Sequence, residues 1–463
     1  MTTAAAPLAV DGAHSPPSAP LAWGLSLFIW LLPLHTLAIT VLFGGLGLSA
    51  TTVRLIAGWK ELLIGVLFAS AVTHALLGGG APQRVHWLDL AVTALGCLAL
   101  GYLMGANLWF GSDLPLGAQL YGARDTVFVS LLYFVGRASP EIAEHPRVLR
   151  ALFVVGVVTS AIAVVERILV TPQMLVLLGA ARYVQDFLGA SAITAGNVYG
   201  LPDNYWTDLG GHLVQRAGST YMSAQGFAIP FLVILPAATL WVLSAARRRR
   251  TVRWIGYLII WAGLLLTLTR MTIVICLLQT VVVAAARRQW SVLAGLGFVC
   301  VTGLGVALAL APGLASFAWA TLTWQTGSSA SHLTDWSEGL ENFASHPLGV
   351  GLGSTDFVAA RFGLEPLTGD NQYLKYGIEL GALGLFLHVA VLVGALASGV
   401  RAWRAAREKL AGAYGLLLLA TVLGIALNAL TAVVLNALML AYVFFWLAGS
   451  VTTIAQRWDG TTT

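Results

Sequence analysis

Charge is scarce in this chain. Only 10% of its 463 residues are Asp, Glu, Lys or Arg, against about 25% in an ordinary soluble domain. A water-soluble fold of this size hides only about three-quarters of its surface. That is too little for a sequence that is 58% hydrophobic with a mean hydropathy of +0.82. A soluble enzyme and a nucleic-acid binder are therefore excluded. Cysteine is scarcer still: Cys97, Cys276 and Cys300 all lie inside apolar runs, which argues against a disulfide framework and a thiolate metal site. No His/Asp/Glu group has ligand spacing, so neither a metal nor a cofactor is expected. The first twenty residues lack a basic stretch before an apolar one and read as a disordered tail, not a cleavable signal peptide.

What remains is long apolar segments. A membrane span needs roughly 20 mainly apolar residues. On that rule the chain is an all-α polytopic membrane protein with about twelve transmembrane helices, near 21–44, 54–78, 86–106, 124–138, 148–170, 223–246, 252–269, 271–286, 291–311, 376–400, 412–430 and 433–455. One transmembrane domain covers 21–456, between tails at 1–20 and 457–463. Placing the N-terminus in the cytoplasm puts Arg137, Arg147 and Arg150, the arginines at 247–250, Arg287 and Arg288, and Arg401 through Lys409 on the cytoplasmic side, as the positive-inside rule requires. Both termini are then cytoplasmic. Two long loops, about 171–222 and 312–375, fall outside. In the second, Leu333, Trp336, Leu340 and Phe343 recur at helical spacing, with Asp335, Glu338, Glu341 and Asn342 on the other face. This predicts an amphipathic helix in the membrane interface.

Nine cations escape the topological explanation: Arg54, Lys60, Arg124, Arg167, Arg182, Arg216, Arg270, Arg361 and Lys375. One reading has each of them snorkel or pair with a nearby acid, such as Asp125 beside Arg124 or Glu166 beside Arg167. Glu61 shares a helix face with Arg54 at i+7, whereas its neighbour Lys60 points elsewhere. The other reading gathers guanidinium groups into a basin for a lipid pyrophosphate, because the guanidinium fork matches phosphate oxygens. Arg216 and Arg270 are its strongest members, with Arg124 and Lys60 beside them.

The segments QRAGST at 215–220, LTLTR at 266–270, WSEGL at 336–340, SHPLGVGLG at 345–353, DNQYL at 370–374 and ELGALGL at 379–385 follow one another in an order that resembles the O-antigen ligase and O-antigen polymerase superfamily. The likeness covers roughly 210–390. It implies a bacterial inner-membrane glycosyltransferase with a periplasmic active site, acting on undecaprenyl-pyrophosphate glycans. It further implies that Arg216 and Arg270 hold the donor pyrophosphate. Ligases of that family carry a histidine, proposed as the base, where this chain has Asp370, followed by Asn371. The Asp-Asn form fits chain-extending polymerases better than strict lipopolysaccharide ligases. His332 stands where many members have arginine.

The chemistry needs cations for the departing pyrophosphate and a base for the incoming hydroxyl. Arg216 and Arg270 supply the first and Asp370 the second, in a single displacement that inverts the anomeric centre. The glycines at 349, 351 and 353 lack the Lys-Ser/Thr of a phosphate loop and serve chain turning. Asp370 reads equally as the N-cap of the tenth span. Asn371, His332, His346 and Tyr221 are further acceptor or loop-site candidates, although His346 before Pro347 also reads as a helix stop. The acceptor is a glycan, lipid or protein hydroxyl. A transporter or flippase for a lipid-linked or anionic solute is the rival class; it would place ionisable groups near the midplane of matching halves. A non-catalytic assembly scaffold is a third.

Overall fold

A computed structural model describes residues 19–77, 84–111, 113–189, 198–209, 212–245, 249–310, 319, 320, 323, 325 and 327–459. The N-terminal tail, Arg247, Arg248, Trp324 and the last four residues lie outside these. The helices are α1 (Ala19–Thr40), α2 (Ala50–Ala57), α3 (Trp59–Leu76), α4 (Trp87–Phe110), α5 (Leu116–Ala138), α6 (Arg147–Leu169), α7 (Ala224–Ala228), α8 (Phe231–Leu243), α9 (Arg250–Leu266), α10 (Arg270–Ala286), α11 (Trp290–Leu310), α12 (Gly327–Ser345), α13 (Asp356–Arg361), α14 (Gln372–Ala405), α15 (Leu410–Asn428) and α16 (Leu438–Asp459), besides several shorter turns of helix. Among the described residues, eight helical segments are long and apolar enough to cross a membrane by length and composition. The proposed fourth span begins eight residues early, at Leu116. The expected all-α chain also holds a small antiparallel hairpin, β1 (Trp206–Leu209) and β2 (His212–Gln215), in the first long loop.

Burial makes α16 the axis of the bundle: Tyr442, Phe444, Phe445 and Trp446 are all enclosed. Lipid is as apolar as leucine, so close contact between helices depends on small residues that let backbones approach. Gly136 of α5 and Gly449 of α16 do this for each other's helix. A Cβ on Gly136 would collide with the Trp446 carbonyl, and one on Gly449 with that of Tyr133. At the same end, Arg137 is buried against Asp89 at 2.9 Å and Thr453 at 2.9 Å, and Arg287 donates to the Arg407 carbonyl at 3.0 Å. The basic clusters thus share one end of the bundle. The described parts of the two long loops lie at the other.

The loop end is fixed by a broken helix. Inside α14, Gly381 has φ 72° and ψ −173°, a backbone conformation that costs an L-residue about 1–3 kcal/mol. The break frees the carbonyls of Ile378 and Glu379, which accept from Val350 N–H at 2.7 Å and Gly351 N–H at 3.1 Å, while Ala382 N–H donates to Pro347 at 2.8 Å. Irregular backbone at membrane depth persists only where protein satisfies it, and here the glycine-rich segment does so. Its glycines therefore mend a helix. Gly381→Ala is expected to destabilise the folded protein by at least that 1–3 kcal/mol, measured as thermal unfolding in detergent.

A buried ionic clasp holds the same loop. Lys375 Nζ lies 2.7 Å from Asp356 and 3.7 Å from Glu379. Asn436 donates to Asp356 at 3.0 Å, and Thr355 and the Gly353 amide donate to Glu379 at 2.6 and 3.1 Å. With two acids and several donors around one ammonium, the charges are fully answered, which is what burial demands. Lys375 is thereby accounted for as a structural cation.

Candidate active site

Arg216 leaves the hairpin at its second strand, where its amide donates to the Tyr205 carbonyl at 2.8 Å. Its Nε donates to the Thr267 carbonyl at 2.9 Å and its Nη2 to Thr269 Oγ1 at 2.8 Å. Both partners belong to the tight turn between α9 and α10, so the LTLTR segment acts as a cradle for this guanidinium. The next residue of the turn is Arg270, the first residue of α10. A cation there opposes the positive end of the helix dipole, so local helix stability does not explain it. Burial first, and Arg270 second, bring the Arg216 pKa down to about 10; the side chain stays protonated at neutral pH. Among the described residues, the ion pairs leave Arg216 without a carboxylate. Two arginines at a helix N-terminus suit a multiply charged anion.

The loop bearing Arg216 is held from below. Glu166 of α6 accepts from the amides of Gly218 at 3.2 Å and Ser219 at 2.6 Å, and Ser219 Oγ donates to the Thr159 carbonyl at 2.7 Å. Glu166 therefore serves the Arg216 loop and not Arg167. Glu166→Ala would leave two buried amides unanswered, at about 1–3 kcal/mol. A fall in transfer rate smaller than that for Arg216→Ala is the expected outcome, read by steady-state kinetics alongside unfolding.

Asp370 precedes α14, and the helix is capped by its neighbour. Asn371 Oδ1 accepts from Tyr373 N–H at 2.9 Å and Leu374 N–H at 3.0 Å. The capping reading of Asp370 is thus overturned. Its carboxylate is exposed at the surface of a crowded recess, and the crowding raises its pKa above the ordinary aspartate value. Asp356 and Asp335 push the same way, while His332 and a hydrogen bond from Gln225 pull down. No arginine is among the groups that shift it.

A chain of hydrogen bonds runs from the start of α10 to the residues that follow Asp370. Two residues beyond Arg270, Thr272 accepts from Asn428 Nδ2 at 2.8 Å. Just past Asn428, Ala429 accepts from the Gln372 amide at 2.9 Å. Leu430 accepts from Asn371 at 3.3 Å and from Trp336 at 2.9 Å. Gln225, on α7 just after the Arg216 loop, lies close enough to Asp370 to lower its pKa. Helix α12 packs against α14. Its inward face is His332, Asp335, Trp336, Gly339, Asn342 and Phe343, with Asn342 donating to Leu367 at 2.7 Å. Leu333 and Leu340 are exposed. The apolar stripe expected to define one face is therefore split, and Asp335 and Asn342 turn toward the protein.

The remaining candidates are placed elsewhere. Lys60 Nζ lies 3.1 Å from Glu61 and donates to Ala57 at 2.7 Å; the break at Gly58 between α2 and α3 frees the first turn of α3 to curl this way, so adjacent Lys60 and Glu61 do meet. Glu61 is 3.8 Å from Arg124, which also binds Asp125 at 2.7 Å. Lys60 and Arg124 thus form a self-neutralised group. Tyr221 is buried, with its hydroxyl 3.0 Å from Met439 Sδ. His346 is exposed after α12. Sequence reasoning missed Gln225 and the roles of Glu166, Thr267 and Thr269 around Arg216. The only signal was the pair of threonines flanking Leu268 before Arg270.

Residues 255–389 match the family model described as O-Antigen ligase, a stretch that runs from α9 through the break in α14 and includes Arg270 and Asp370. No curated protein matches the chain.

Proposed function

We propose, from the match of residues 255–389 to the O-antigen ligase family model, that the chain transfers a glycan from undecaprenyl pyrophosphate to an acceptor hydroxyl at the periplasmic face of the bacterial inner membrane. What supports this is the Arg216–Arg270 pair at the α9–α10 turn, together with Asp370, which does not cap α14. In the reaction, the acceptor oxygen attacks the anomeric carbon, the bond to the phosphate oxygen breaks, and the acceptor proton passes to Asp370. Arg216 and Arg270 stabilise the charge that develops on the leaving pyrophosphate. Attack opposite the leaving group inverts the anomeric centre. Asp370 in place of the ligase histidine favours chain extension, with the acceptor a second glycan.

A transporter would need mobile charges at depth. The span-borne ions Lys60, Glu61, Arg124 and Asp125 are committed to one another, which gives that reading no support. The test is to supply the purified protein with a lipid-pyrophosphate oligosaccharide. A ladder of product lengths is expected; one transfer to a lipid acceptor would make it a ligase, and no product with either acceptor would overturn the proposal.

A further inference from the structure

A second pair of arginines sits at the loop end. Arg361, the last residue of α13, lies over the rings of Tyr121 at 4.5 Å and Phe187 at 5.3 Å. Arg54 of α2 lies over the same Phe187 ring at 5.8 Å. The acids nearby are engaged by other cations: Glu61 and Asp125 by Arg124, and Asp186 by Arg182. Among the described residues neither Arg54 nor Arg361 has a carboxylate partner, and segment 190–197, which follows Gly189, contains no acid. Arg361 Nη2 is buried with no hydrogen-bond partner among the described residues. Burial lowers the Arg361 pKa, helped by Arg54 and Arg124 and opposed by Tyr121 and Tyr183. Aromatic faces stabilise a guanidinium but leave its in-plane donors unanswered.

A groove adjoins this pair. Arg124, which shares the Tyr121 ring with Arg361, meets Glu61 at the top of a shallow, open groove lined by Glu61, Leu62, Gly65, Val66, Ala69 and Phe128. From Glu61 to Ala69 it runs roughly 12 Å along α3. Below its polar mouth the lining is apolar, and Leu62 and Val66 are exposed, as suits a surface facing lipid.

We propose that Arg54 and Arg361, on either side of Phe187, form a second anion seat that takes the phosphate of a membrane lipid whose acyl chain lies in the groove between α3 and α5. The seat is separate from the Arg216–Arg270 site and stands whether or not the chain transfers glycans. Calorimetric titration of the full chain in neutral detergent with dioctanoyl phosphatidic acid and with inorganic phosphate tests it. Arg54→Gln and Arg361→Gln are each expected to weaken lipid binding roughly tenfold, the loss of one charge-assisted contact. Arg216→Ala leaves this binding in place. Gly65→Leu, at a position with no atom within 4 Å of a new Cβ, fills the groove and weakens the lipid alone. Unchanged binding in both Gln variants overturns the seat. Equal weakening in Arg216→Ala merges it with the first site and overturns it as well. Inorganic phosphate binding as tightly as the lipid overturns the membrane source.

Discussion

Arg216→Ala is expected to abolish measurable transfer while the protein still inserts and folds. Loss of one preorganised donor to a developing anion costs about 10²–10³-fold in rate, and here the lost donor is also a full positive charge. Two of its five N–H groups are spent on Thr267 and Thr269; the rest remain for phosphate oxygens. Arg216→Lys is expected to recover little, because an ammonium cannot keep both anchors and offer a fork. Arg270→Ala removes the second charge and is expected to fall in the same range. The measurement is initial rate with a lipid-pyrophosphate oligosaccharide donor, and retention of wild-type rate in both variants would remove the basis of the anion seat.

Asp370→Asn is expected to lose about 10²–10⁴-fold, the usual contribution of a general base. The pH profile separates this role from a structural one. The carboxyl pKa is raised by crowding and by Asp356 and Asp335, and only the ionised form accepts a proton. Activity therefore falls as pH drops through that raised value, at a higher pH than an ordinary aspartate near 3.9 would give. In Asp370→Asn the acid limb disappears from the residual rate. In Asp370→His the limb moves toward roughly 6.5. An unchanged acid limb in the Asn variant would assign it to another group and falsify the base assignment.

The membrane character and most helices were legible because lipid imposes length and apolarity on any span, a constraint written along one dimension. The α9–α10 hairpin with Arg270 at its tip was legible for the same reason. Side-chain partnership was not, because it depends on where helices break. Lys60 meets Glu61 only because α3 starts afresh after Gly58. Asn371 takes the cap from Asp370 by a one-residue choice that residue type does not decide, since both residues cap well. Helix α12 was found by its period, yet its inward face follows Gly339, against which Leu374 and Thr368 pack. A glycine carries no weight in an amphipathic pattern. Glu166 was assigned to its neighbour Arg167 because the backbone amides it serves lie 52 residues further on.

The mended break in α14 has a consequence for biogenesis. The amides of Val350 and Gly351 find their acceptors on a helix that emerges from the ribosome about thirty residues later, and Asp356 finds Asn436 later still. Until α14 is in place, the stretch leading to Asp370 has no template. A protein truncated before α14 would integrate its early helices yet leave that stretch without its hydrogen-bond partners.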